Sequence, residues 1–501
     1  MGVTETFNEG SGSTLVIGGG PAGLAAAWEL SKRGVKVTVL EKEPKDVGGL
    51  SRTLTYKGFR FDIGGHRFFS KNQEMSQWWR ARLPNDFIRV KRLSRIYYRG
   101  RFFHYPLRAG DALIGLGLGT SMACVASYLW RRLLPIAPER SFEDWVINRF
   151  GDRLYQMFFK TYTEKVWGMP CSQISADWAS QRIKGLSLWA AARNAFSGRR
   201  DSKETAKTLI DEFDYPRLGP GMLWEKVRDD IVRQGGRVYM GRSVLRFERS
   251  ENRIVSVITK GLSGELEQWS GESFIVSMPL QHCALAMNPC LTAKAQAAAK
   301  QLSYRDFLLV ILIVNRRDLF ADNWIYIHAP EVKVGRIQNF NNWGEDMVPD
   351  RNVTSLEFEY FCSRGDPFWS LSDAEIAEVA KRELETLGLA KASDVLDTCV
   401  VRVEKAYPVY DANYQKNVEV IRQALEPITN LQIVGRNGMH KYNNQDHSML
   451  TGILASRNLT GESYDVWRVN TDAEYLEEGQ ATDSAGRSVP RSIEQVDVTS
   501  S

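Results

Sequence analysis

The stretch from Thr14 to Glu41 limits what this chain can fold into more than any other. Thr14-Leu15-Val16-Ile17 is a short apolar, partly β-branched run that stops at Gly18-x-Gly20-x-x-Gly23. A helical pattern follows from Pro21 to Arg33, with proline at its start and Gly34 just past its end. Val35–Leu40 is a second apolar run, closed by Glu41, 23 residues after Gly18. Strand, glycine turn, helix, strand and acid together predict a βαβ dinucleotide-binding unit. The first glycine permits the tight turn and the second lets a pyrophosphate approach the backbone. The third lets helix and strand pack closely, while the helix N-terminus faces the phosphates. Glu41 stands where a carboxylate accepts bonds from ribose hydroxyls. A glycine-rich turn alone would leave that acid without a role.

A chain of 501 residues has room for two or three domains around a unit of this size. Its charge, 65 Lys+Arg against 60 Asp+Glu, is too balanced for a nucleic-acid partner but leaves anionic small molecules open. The six cysteines are scattered without a CxxC pair, so neither a metal site nor a disulfide framework is expected. A reducing cytoplasm is the expected compartment. Residues 1–13 and 480–501 are polar and read as disordered tails. Helical patterns run over 142–160 and 372–388, and β-rich stretches over 237–247, 253–260, 273–278, 308–314 and 353–361. Ala112–Trp130 carries no charge and precedes Arg131-Arg132. Its 19 residues are short for a membrane span and include three glycines, which favours a buried helix. A membrane-surface helix, hence peripheral membrane contact through 112–130, is the sharper alternative. The basic stretch around Arg193, Arg199, Arg200 and Lys203 reads as a solvated loop, with lipid phosphate as its alternative partner. Oligomeric state is not readable.

Downstream of the βαβ unit, Gly48-Gly49-Leu50-Ser51-Arg52-Thr53 resembles the GGxSRT segment of the flavin-containing amine oxidase and protoporphyrinogen oxidase superfamily. Phe274–Pro279 resembles the later strand-to-proline segment of those flavoproteins, and Ile433-Val434-Gly435-Arg436 their last strand and glycine turn. The resemblance implies FAD. Gly18, Gly20, Gly23, Glu41, Gly49 and Arg52 would then hold its nucleotide half, with Val244 meeting the adenine. Gly435, Arg436, Asp446 and Met449 would approach the flavin, where a helix over 449–459 presents its positive end.

Within that superfamily the chain is most similar to the UDP-galactopyranose mutases, over most of residues 14–465. Phe61–Ser70, with Gly65 and His66, resembles their flavin-facing loop. Phe158–Gly168 resembles the segment carrying their uridine-side Tyr and Trp, here with Trp167. Arg336 matches their diphosphate arginine, Tyr360 falls at an active-site tyrosine, and Tyr442 and Asp446 lie in their closing motif. Phe69, Asn444 and His440 depart from the family pattern, Arg182 is out of register for a second diphosphate arginine, and residues 186–212 have no counterpart. A relative with another substrate is therefore expected.

The implied fold is α/β, a Rossmann-like FAD-binding domain (14–75, 230–290, 425–465) interleaved with a mixed helical and antiparallel-sheet substrate domain (76–229, 291–424). The implied activity is a mutase-like isomerisation of a nucleotide-linked or phosphorylated sugar. In it the flavin, reduced by NAD(P)H or another donor, is the nucleophile. Two alternatives stay open: an FAD-dependent oxidase or dehydrogenase acting on an apolar substrate, and a flavoprotein kept only as a binding module.

Overall fold

The computed structural model describes residues 3–105, 115–176, 178 and 211–470. The tail expected at 480–501, the basic stretch at 193–203 and Arg182 lie outside these residues.

The βαβ unit forms as its sequence requires. Strands Ser13–Ile17 and Lys36–Leu40 flank the Pro21–Lys32 helix and run parallel. They belong to a five-stranded, all-parallel sheet ordered Arg237–Tyr239, Lys36–Leu40, Ser13–Ile17, Ser273–Val276, Leu431–Ile433. Helices cover such a sheet on both faces, which is why its central strands read as unbroken apolar runs. The Gln445–Leu459 helix lies directly on Pro21–Lys32. At Gly452 a Cβ would sit 2.1 Å from the Ala22 carbonyl oxygen, so only glycine allows this approach. Ser456 Oγ donates to the Ala26 carbonyl at 3.0 Å across the same contact.

The core around this sheet extends beyond the expected domain limits. Trp79 of helix Gln73–Arg82, Trp224 of helix Gly221–Arg233 and Ala295 of helix Ala293–Gln301 are all buried in it. Amphipathic helices follow the apolar face they can cover rather than the order of segments along the chain. The N-terminal tail also needs correction. Glu5–Asn8 is a strand that pairs in parallel with Leu266–Ser270, and Phe7 stacks on Trp269 with ring centroids 4.0 Å apart. One aromatic anchor is enough to order a short polar segment that lies along an open sheet edge.

A seven-stranded sheet forms the second body, in the order Val395–Pro408, Tyr304–Val314, Thr354–Cys362, Arg336–Asn339, Trp324–Ile327, Ser94–Tyr98, Arg101–His104. Side chains alternate across it. Leu308, Val310, Leu356, Phe358 and Tyr360 pack under helix Asp373–Thr386, which starts at a Ser372–Glu375 capping box. Phe307, Leu309, Glu357 and Glu359 share the other face, turned toward the parallel sheet's glycine turns.

The uncharged 112–130 stretch was expected to be buried, and it is not. Its described part begins helix Leu118–Leu133, which buries only Ser121 and Cys124. It packs on helix Phe142–Tyr155, whose Gly151 comes so close that a Cβ would lie 2.6 Å from the Tyr128 nitrogen. A single supporting helix can cover only one side.

Candidate active site

The glycine turn and the Gly48–Gly49 turn face each other. Gly18 has φ +103°, and its N–H donates to the Leu40 carbonyl at 2.9 Å. A Cβ on Gly23 would lie 1.9 Å from the Gly18 oxygen, so helix and turn are in contact there. A Cβ on Gly20 would meet nothing closer than Gly49 Cα at 3.8 Å, so the cradle is open at that point. The Gly48 N–H donates to the Gly19 carbonyl at 2.8 Å and ties the turns together. Arg52 lies over the second turn, donating to the Gly49 carbonyl at 2.9 Å. Glu41 is buried and accepts from the Gly19 and Glu43 N–H groups. The Arg242 N–H donates to the Glu41 carbonyl, which brings half-buried Val244 to the same corner. A pyrophosphate fits the open cradle at Gly20, with a ribose at Glu41 and an adenine beside Val244.

The other end of the cofactor groove lies at Gly435, with φ +85° and its N–H bonded to Thr451 Oγ1 at 2.9 Å. The helix expected at 449–459 begins earlier, at Gln445, so the unpaired N–H groups of its first turn lie near Asp446 rather than Met449. Met449 is a buried core residue whose sulfur accepts from Trp79 Nε1 at 2.9 Å. Asp446 accepts from Ser70 Oγ at 2.7 Å, joining the helix start to the 61–70 loop. Two buried donors here, Gln445 Nε2 and Arg436 Nε, have no partner among the described residues, as expected where a polar ring edge binds.

Between these ends stands the face of the seven-stranded sheet. Its register sets Arg336 opposite Glu359 and Gln338 opposite Glu357, all on one side. Arg336 binds Glu359 through Nη2 at 2.6 Å and Nε at 2.7 Å, and Gln338 Nε2 donates to the same carboxylate at 2.8 Å. Above them runs the 63–66 loop. A Cβ on Gly64 would lie 3.3 Å from Arg336 Nη2, and one on Gly65 would lie 3.0 Å from Gln338 Nε2. His66 Nε2 bonds the Ile63 carbonyl at 2.9 Å, and burial pushes its pKa down to about 4, helped by the nearby Arg436 and Arg336 charges. The imidazole is therefore neutral at pH 7. Glu357 is buried without a side-chain partner, and burial, followed by the neighbouring Glu359 and Asp62, holds it well above the carboxylate range. It is a neutral acid. Asp62, bonded by Tyr215 at 2.6 Å and Thr53 at 2.9 Å, is raised by burial to about 7.

Tyrosines complete the wall. Tyr442 lies under the Arg436 guanidinium at 4.0 Å and stacks on Tyr407 at 5.9 Å. Tyr162 stacks on His328 at 5.0 Å and meets Tyr326 edge-on. Burial raises the Tyr162 and Tyr407 phenols, and the Arg336 charge facing both opposes the rise.

Besides Met449, two of the expected site residues are elsewhere. Tyr360 points to the opposite side of its strand, where it is buried beneath Phe368 and donates to Glu383 at 3.1 Å. Its neighbour Glu359 faces the site. Trp167 is buried in a separate core against Trp178 and Tyr410, and Tyr162, five residues earlier on the same helix, points to the site instead. Strand parity and helical spacing carried both signals. Nothing in the local sequence marks Tyr407.

A parallel sheet with a paired-glycine cradle and a ribose-side acid, facing a mixed sheet that is antiparallel except where Trp324–Ile327 pairs in parallel with Ser94–Tyr98, across a loop of two glycines and a histidine, defines a flavoprotein of the amine oxidase type. The chain belongs to the flavin-containing amine oxidoreductases, whose family model matches residues 21–459. It binds FAD, and the open cradle and unpartnered donors suit that cofactor. A crystal structure of reduced UDP-galactopyranose mutase is similar in fold, with a TM-score of 0.75 and 22% identity over 90% of this chain and 96% of that one. Protoporphyrinogen oxidase 2 of Arabidopsis thaliana is 20% identical over 81% of this chain and 86% of its own length. The inactive all-trans-retinol 13,14-reductase of Danio rerio is 54% identical, but over 50 residues, 10% of this chain and 8% of that protein. The first curated relatives are matched over no more than 16% of their own lengths. Among the described residues no helix is long and apolar enough to cross a membrane.

Proposed function

We propose that this flavoenzyme acts on a nucleotide-linked or otherwise phosphorylated sugar, with its flavin reduced and with no net transfer of electrons. One observation carries the reading: Arg336, His66, Tyr162, Tyr407 and Tyr442 converge beside the 63–66 loop. A cation set among hydroxyl groups suits an anionic, polyhydroxylated ligand. An apolar ligand would leave the same groups desolvated and unpaired. When bound, the reduced flavin supplies the nucleophile. The chain's own part is binding and orientation. Arg336 has Nε and Nη2 committed to Glu359, which leaves Nη1 for an anionic oxygen. The neutral His66 ring is held by the Ile63 carbonyl and positions the loop. The tyrosine hydroxyls bond sugar oxygens, and their aromatic rings keep bulk water out.

A second reading has an observation of its own. Glu359 neutralises Arg336, so the field is weaker than a diphosphate demands. FAD-dependent oxidation or dehydrogenation of a less charged substrate follows from that. Electron stoichiometry separates the two. With the flavin reduced anaerobically by NADPH or dithionite, a nucleotide sugar should be isomerised with no acceptor consumed. One reduced acceptor per product would overturn the mutase-like reading and select the oxidase.

A further inference from the structure

We propose that helix Leu118–Leu133 is a docking surface for an anionic lipid bilayer, on which the protein rests without spanning it. Seven of the fifteen large apolar side chains exposed among the described residues lie between Leu118 and Leu134. On the helix, Leu118, Met122, Val125, Leu129 and Leu133 recur at the spacing of one face and are 53–77% exposed. The first four of them edge a shallow apolar trough of about 300 Å³ that Ser121 and Ala126 complete. The opposite side is taken up by the contact with helix Phe142–Tyr155, so this face has no covering element among the described residues.

Charge decides what covers it. No acidic or basic residue falls between Leu118 and Trp130; Arg131 and Arg132 follow directly, and the nearest charges before the stripe in the sequence are Arg108 and Asp111. At its C-terminal end Arg132 is exposed and has no carboxylate partner among the described residues, while Arg131 is paired with Asp152 at 2.8 Å. At its N-terminal end the hairpin tip carrying exposed Arg99 and Arg101 abuts the chain, Arg101 donating to the Gly115 carbonyl at 2.9 Å. Exposed Arg153 lies at mid-length, its backbone N–H bonded to Ser127 Oγ at 3.2 Å. An apolar stripe edged by arginines and ending in Trp130 matches the layering of a bilayer surface, with acyl chains below and phosphates beside them. A second copy of the chain fits less well. A helix of 16 residues is about 24 Å long, so its stripe offers a few hundred Å², below the roughly 800 Å² per partner of a stable dimer.

The test uses the flavin-loaded full chain and sedimentation with vesicles. Binding to phosphatidylcholine vesicles containing about a third phosphatidylglycerol is expected, with at least tenfold less binding to pure phosphatidylcholine. Met122→Glu with Leu129→Glu should abolish binding, and Arg132→Glu should weaken it several-fold and reduce its salt sensitivity. Retained bound flavin checks that these surface variants are folded, and Leu118→Ser serves as a milder substitution. Equal binding by the double variant, or no binding of the parent protein to anionic vesicles, overturns the proposal. So does light scattering that shows a dimer broken by Met122→Glu with Leu129→Glu, which would assign the face to a second copy.

Discussion

Gly20 and Gly23 belong to one motif but hold different things, and substitution should separate them. A side chain at Gly20 points into open space above Gly49, so Gly20→Val should purify folded yet colourless, its volume occupying the pyrophosphate position. At Gly23 the same addition drives a carbon into the Gly18 oxygen 1.9 Å away. Gly23→Ala should therefore lose stability by more than the ~1–3 kcal/mol of ordinary overpacking. The flavin-to-protein absorbance ratio reads the first effect and thermal unfolding the second. A Gly20→Val protein that keeps its full flavin content would show that the cradle lies elsewhere.

Strand Thr354–Cys362 shows how far the sequence could be read. Its β-rich character was plain, and so was the motif that placed an active-site side chain near residue 360. Which side of the strand faced the flavin was not. Both faces are buried, so the alternation of polar and apolar residues that normally reveals the inner face is blurred by Glu357 and Glu359 lying inside. The same limit applied at Trp167 and in the 112–130 stretch, where burial depends on partners distant in the chain. The cofactor motifs were legible because they are local: a glycine must sit where φ is positive or a carbonyl lies close. Tyr360→Phe should cost about 0.5–1.5 kcal/mol, the worth of one hydrogen bond to Glu383, and leave turnover unchanged. Glu359→Gln should instead leave the fold intact and release the Arg336 charge, tightening binding of a phosphorylated ligand several-fold. Calorimetric titration with nucleotide sugars or their nucleotide diphosphates checks this, and weaker binding would count against Arg336 as the anion contact.

At the scale of the whole molecule, acid sensitivity follows from buried imidazoles. Burial lowers His66 and His440 from the ordinary 6.5 to about 4, and His328 to about 3. Between about pH 6.5 and 4 the unfolded chain takes up protons that the folded chain refuses. Stability is therefore fully present above 6.5 and is lost as pH falls through that window. Asp62, raised to about 7, and the neutral Glu357 act in the opposite sense, since they hold protons in the folded state that the unfolded chain releases. Three sites against two leave the histidines in control, so the unfolding midpoint of the flavin-loaded protein should drop from pH 6.5 toward 4.5. A flat profile would mean that the imidazoles are exposed to solvent. The contact of the Gln445–Leu459 helix on Pro21–Lys32 also bears on how the protein is made. Gly18 leaves the ribosome more than four hundred residues before Gln445, a delay on the order of 20–90 s at ordinary translation rates. For that interval the nascent chain carries an unfinished sheet with a bare apolar edge and a groove missing one wall. It is a natural client for chaperones, and it can take up its cofactor only once that helix has emerged.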